Sequence, residues 1–200
     1  MENTVAKALI ESYTYVEYRK RIEDLLKEGK ASGNEQSEDL LKYSLLNETR
    51  MNRLDKTIIV TDEVKKALGE LNRKYIWLVI AEGWCGDAAQ VLPILNKMSQ
   101  ETDNIELKIV FRDENPELMS HFQTNGRNAI PKLVIIDKVT GGVKGNWGDR
   151  PKGAKDTIEK YKAQHGVVDE AGKAELQLWY LHDKGVSTQN ELTNLMLDIE

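Results

Sequence analysis

Disulfides, membrane spans and basic stretches are all scarce or missing in this 200-residue chain. Its single cysteine, Cys85, rules out any internal disulfide. The longest uninterrupted apolar run, Tyr75 to Ala81, falls far short of the roughly 20 residues a membrane-spanning helix requires. The residues following Met1 lack the basic and apolar pattern of a secretion signal, so a cytoplasmic location is expected. With a net charge of −5 and no basic stripe interleaved with aromatics, nonspecific nucleic-acid binding is disfavoured. His121, His165 and His182 are scattered without metal-ligand spacing, so no metal and no cofactor is expected. The Asn47-Glu48-Thr49 acceptor pattern has no use in a chain without a secretion signal. Gly141 to Gly145 lacks the strand–loop–helix order of a phosphate loop, and there is no internal repeat.

What the chain does contain is a reactive residue type in an informative place. Tyr75-Ile76-Trp77-Leu78-Val79-Ile80-Ala81 reads as a buried strand. From Asp87 to Gln100, Ala88, Val91, Leu92, Leu95 and Met98 recur at three-to-four spacing, the pattern of a helix. Cys85 therefore sits at a helix N-terminus, where unpaired N–H groups and the positive end of the dipole favour thiolate. Asp87 opposes this, since its carboxylate repels a charge two residues away. The sequence does not rank the two effects.

The run Trp84-Cys85-Gly86-Asp87-Ala88-Ala89-Gln90 resembles the W-C-x-x-C turn of the thioredoxin superfamily, and further motifs follow in family order. Pro93 matches the proline that kinks the active-site helix. Asp113-Glu114-Asn115-Pro116 matches a D-x-N-P run after the next strand. Ile130-Pro131, before Lys132 to Ile136, matches the cis-proline, and Gly148 falls where the family carries a glycine at a strand end. The turn itself is most similar to a bacterial thioredoxin-like subgroup. The resemblance covers residues 57–165. It implies a thioredoxin-like three-layer α/β/α fold with a mixed central sheet, Cys85 in the nucleophile position, and Pro131 presenting a backbone edge to an extended substrate. On this mapping Trp84, Ile130, Pro131 and Trp147 form an apolar surface around the thiol. Arg150 stands close enough to attract a carboxylate or stabilise thiolate.

Departures from the family bear directly on function. Ala88 occupies the position of the second cysteine, so no internal thiol can resolve a mixed disulfide. Val79 replaces the buried acid six residues before the nucleophile, and Glu82, expected at the strand's end, is not assigned that role. A monothiol thiol–disulfide oxidoreductase remains open, with protein or low-molecular-weight thiols and disulfides as partners. Peroxide chemistry lacks the threonine and proline that peroxiredoxins place ahead of their cysteine, and sharing of an iron–sulfur cluster rests on the lone cysteine alone. The alternative is a redox-inactive thioredoxin-fold module that binds a peptide or protein.

The remainder divides into an N-terminal helical extension over residues 1–56 and a C-terminal helical segment over 166–200. One amphipathic helix is expected from Thr4 to Lys27 and a second from Ser37 to Leu54. Packing of this extension onto the core is the default expectation. Gly141-Gly142 signals a hairpin between Leu133–Ile136 and Val143–Trp147. Helices are expected over Asp62–Leu71, Glu117–Gln123, Lys152–Gln164, Ala171–His182 and Ser187–Leu197, the last with a cap among Ser187 to Glu191.

Overall fold

A computed structural model describes residues 1–200. The apolar run forms strand β1 (Tyr75–Ala81), which is buried on both faces and so occupies the middle of the sheet. It pairs in parallel with β2 (Ile105–Phe111) and antiparallel with β3 (Lys132–Asp137). β4 (Val143–Gly148) adds to β3 as a hairpin, giving the order β2-β1-β3-β4. The hairpin turn uses Gly141 at φ +72°, a conformation that favours glycine, and Asp137 accepts the N–H groups of Val139 and Thr140. This mixed sheet flanked by helices is the thioredoxin-like α/β fold expected from the sequence.

Nine helices surround the sheet: α1 (Glu2–Ile10), α2 (Tyr15–Lys27), α3 (Glu38–Thr57), α4 (Asp62–Gly69), α5 (Gly86–Ser99), α6 (Pro116–His121), α7 (Lys152–His165), α8 (Glu170–Asp183) and α9 (Val186–Ile199). The single helix expected over Thr4–Lys27 is two helices. Thr14 and Glu17 form a reciprocal capping box that starts α2 afresh. Tyr13, between them, exchanges two 2.8 Å backbone hydrogen bonds with Ile109 on the edge of β2. That edge would otherwise present unpaired groups. The cap expected among Ser187 to Glu191 is also displaced, because Gly185 holds the N-cap of α9 while the Ser187 N–H is taken by Asp183.

The extensions share the core. Val5, Tyr18, Ile22, Met51 and Leu54 from the first three helices and Leu192 and Met196 from α9 belong to the same hydrophobic cluster as β1. Tyr18 lies 5.2 Å from the Phe111 ring, centroid to centroid. At the other end the Glu200 carboxylate accepts from the N–H groups of Asn72 and Arg73 and from the Tyr75 hydroxyl. α7 and α8 share a separate patch, in which Leu176 and Tyr180 of α8 meet Ala154 of α7. No helix is long and apolar enough to cross a membrane.

Candidate functional site

Cys85 is the N-cap of α5, with extended backbone at φ −77° and ψ 114°. Its sulfur accepts from the Ala88 N–H at 3.5 Å, and its S–H donates to the Ile130 carbonyl at 3.4 Å. Both hydrogen-bonding capacities of a neutral thiol are thereby engaged. The residue is 9% exposed. Burial pushes the Cys85 thiol up to about 12, the Asp87 charge adds to the rise, and the N–H groups of Ala88 and Asp87 recover only part of it. The structure therefore ranks the opposing effects: desolvation and the carboxylate win over the helix terminus.

The Ile130–Pro131 peptide bond is cis, as is Gly148–Asp149. Gly148, at φ +124°, approaches so closely that a Cβ there would lie 2.3 Å from the Pro131 carbonyl oxygen. Only glycine fits. Ile130 and Pro131 are buried with the thiol.

Two arginine donors converge on one oxygen of Asp87, Nε at 2.9 Å and Nη2 at 2.6 Å, both from Arg150. The other carboxylate oxygen accepts the Tyr180 hydroxyl at 2.9 Å. Burial works against the charge of Arg150, but Asp87, with smaller help from Asp149 and Tyr180, outweighs it and its pKa moves up. Burial first, and Asp87 second, hold the Tyr180 phenol neutral. Asp149, 3.3 Å from Arg150, also pairs with Lys155. Lys132, directly after the cis bond and 3% exposed, has its pKa lowered by burial against the pull of Asp149.

The two tryptophans have partners of their own. Trp84 lies beneath the Arg112 guanidinium, 4.9 Å from its ring centroid. The Trp147 indole donates to Glu191 of α9 at 2.8 Å. The structure thus gathers Cys85, Asp87, Ile130, Pro131 and Arg150 but ties the two tryptophans elsewhere.

Several residues unmarked by local pattern close this turn. Ile22 of α2 would meet a Cβ on Gly83 at 2.5 Å, so the turn lies hard against that helix. Asn47 of α3 donates to the Gly83 carbonyl at 2.9 Å, and Ser32 accepts the Gly83 N–H at 2.8 Å. The Ser32 hydroxyl in turn donates to Glu82, whose second oxygen accepts the Asp113 N–H at 3.0 Å. Glu82 has no exposed surface; burial raises its pKa against these hydrogen bonds. Arg50 of α3 and Gln177 of α8 flank Gly86. Residues such as Tyr180, 93 positions from its partner Asp87, carry no sequence signal of this role.

The thioredoxin family model matches residues 33–162. The chain belongs to the thioredoxin family. The match begins at Gly33, just after the Ser32 that reaches Glu82, so α3 lies inside the matched region. Among solved structures, the chain is similar to a protein of unknown function from Pseudomonas aeruginosa, at 20% identity and a TM-score of 0.51, covering 73% of this chain and 86% of that one. It is also similar to an HIV epitope-scaffold, at 17% identity and a TM-score of 0.58, covering 94% of this chain and all of the other. At these identities the likeness concerns the thioredoxin fold alone. No curated protein matches the chain.

Proposed function

We propose that this thioredoxin-family chain is a redox-silent binding module, with Cys85 retained as a neutral helix cap and not as a nucleophile. The observation that carries this reading is the thiol itself, buried, pushed up to about 12, and hydrogen-bonded as both donor and acceptor. A nucleophilic cysteine needs an exposed, electropositive setting that populates thiolate near neutral pH. Asp87 and the absence of a resolving thiol at Ala88 agree with the same conclusion. The partner would be a peptide or protein. The family-derived candidate surface is the edge at Ile130, Pro131 and Gly148; Trp84, Trp147 and Arg150, expected beside it, are engaged by Arg112, Glu191 and Asp87.

The second reading is a monothiol oxidoreductase resolved by an external thiol. It draws on the Ala88 and Asp87 N–H groups at the cysteine, which lower its pKa. The W-C-G-D-A-A-Q subgroup resemblance is compatible with either reading. The rate of Cys85 alkylation against pH, in native and unfolded protein, separates them. A native thiol unreactive at neutral pH, with no inflection below the roughly 8.5 of a free cysteine, supports the binding module. A native thiolate titrating well below that value overturns it and makes Cys85→Ser the next variant to assay for disulfide exchange.

A further inference from the structure

Outside the thiol cage, α3 and α8 stand apart over α5 and leave an open groove of about 520 Å³. This is within the range of small-ligand sites, roughly 300–1,000 Å³. Arg50 and Arg53, one turn apart on α3, form one wall. Neither belongs to an ion pair. The acids of the same helix that could serve them, Glu48 and Asp55, are bound to Arg19, and Asp87 is bound to Arg150 and Tyr180. Arg50 spends one donor on Asn47, leaving Nε and Nη2 without a protein acceptor. Burial, with repulsion from Arg53, lowers its pKa despite the attraction of Asp87. Two adjacent cations with no counter-charge in contact repel each other, and a bound anion would relieve that repulsion.

The opposite wall is apolar. Leu178 and Leu181 on α8 are 53% and 47% exposed along the groove. Between the walls, Gln90 of α5 donates to the Gln177 oxygen at 2.7 Å. That bond fixes both amides and leaves the Gln177 nitrogen as donor and the Gln90 oxygen as acceptor. This pair is complementary to the carbonyl and N–H of one secondary amide.

We propose that the α3–α8 groove binds a carboxylate carried on an apolar body beside an amide, the chemistry of an N-acylated aliphatic amino acid. Arg50 and Arg53 hold the carboxylate, Gln90 and Gln177 the amide, and Leu178 and Leu181 the side chain. The same chemistry is offered by a free N-acyl amino acid and by the last residue of a peptide. The groove shares Arg50 and Gln177 with the enclosure of the Cys85 turn but includes neither the thiol nor its hydrogen-bond partners Ala88 and Ile130, so the inference stands however that thiol titrates.

Isothermal titration calorimetry of the full chain with N-acetyl-L-leucine, N-acetyl-L-leucinamide, a tetrapeptide ending in leucine, and inorganic phosphate tests it. Saturable binding of N-acetyl-L-leucine is expected, with the uncharged leucinamide at least about tenfold weaker. Arg53→Gln, at an exposed position, and Arg50→Gln are each expected to weaken binding about tenfold, with thermal unfolding unchanged for Arg53→Gln. Leu178→Ser should weaken it several-fold. Tighter binding of the tetrapeptide identifies a peptide C-terminus as the source; equal or weaker binding identifies the free compound. The proposal is overturned if phosphate or leucinamide binds as tightly as N-acetyl-L-leucine. It is equally overturned if folded Arg53→Gln binds like the parent, or if neither N-acetyl-L-leucine nor the tetrapeptide binds up to about 10 mM.

Discussion

Glu82 and Asp87 stand on either side of Cys85, three residues before it and two after, and the fold gives them opposite settings. Asp87 faces a cation: two Arg150 donors and the Tyr180 hydroxyl satisfy it at the junction of β4 and α8. Glu82 meets only a hydroxyl and a backbone N–H, from Ser32 and Asp113, with no cation in contact. Its pKa rises with burial. A buried carboxylate facing arginine can remain charged, whereas one facing neutral donors is favoured as an acid. The two carboxylates also tie down different extensions. Glu82 fastens the α2–α3 loop, and Asp87 fastens α8, which otherwise packs on α7 outside the main core. Cys85, caught between them, is closed from both sides.

Breaking the charged side has the largest expected effect. Asp87→Ala leaves the half-buried Arg150 with Asp149 alone and Tyr180 without an acceptor, a loss of about 3 kcal/mol by denaturant unfolding, the low end for a broken buried pair. Adding Arg150→Met to Asp87→Ala should restore part of this, because the stranded charge is then removed. A double variant no more stable than Asp87→Ala alone would show that the stranded Arg150 charge is not the source of the loss.

The thiol between them gives a pH signature. Its folded pKa is raised above the unfolded value of roughly 8.5, so the native state holds its proton longer than the unfolded chain. The contribution of Cys85 to stability is therefore fully present below about 8.5 and declines as pH rises from there toward the folded value of about 12. The slope approaches about 1.4 kcal/mol per pH unit. Unfolding titrations at alkaline pH should show this decline in the parent and its absence, for this group, in Cys85→Ala. Parallel profiles for the two proteins would mean that the native thiol ionises as a free one does.

On the neutral side, Ser32→Ala strands the Gly83 N–H and one Glu82 oxygen, an expected loss of about 1–3 kcal/mol, with faster amide exchange at Gly83. A cost below about 0.5 kcal/mol would show that this loop is not anchored through the hydroxyl. The smallest effect belongs to Glu82→Gln, which keeps a side-chain acceptor but cannot ionise. Because the folded pKa of Glu82 is raised, the parent loses stability as pH climbs through the unfolded value of roughly 4.3 and on toward the folded one. The variant should match the parent in acid and gain on it toward neutral pH. An advantage that shrinks with rising pH would contradict the assignment.

Much of the core was legible from the chain. The apolar run at Tyr75–Ala81, the Gly141-Gly142 hairpin and the Cys85 turn state their geometry locally, through strand periodicity, permitted backbone conformations and helix spacing. The break between α1 and α2 was only half legible. The Thr14-x-x-Glu17 capping box is present in sequence, but the reason the chain stops there is a pairing of Tyr13 with Ile109 on a distant strand.

By itself, the sequence determined that the chain has one thiol, that no second thiol can resolve it, and that this thiol stands between a strand and a helix, because these follow from residue identity and near-neighbour periodicity. Only the tertiary structure decided what the thiol is. Desolvation by segments far away in sequence, a Tyr180 and an Arg150 drawn to Asp87, and a loop drawn to Glu82 set its environment. An ionisation state depends on every charge and every excluded water within reach, and those are fixed by three-dimensional packing, not by spacing along the chain.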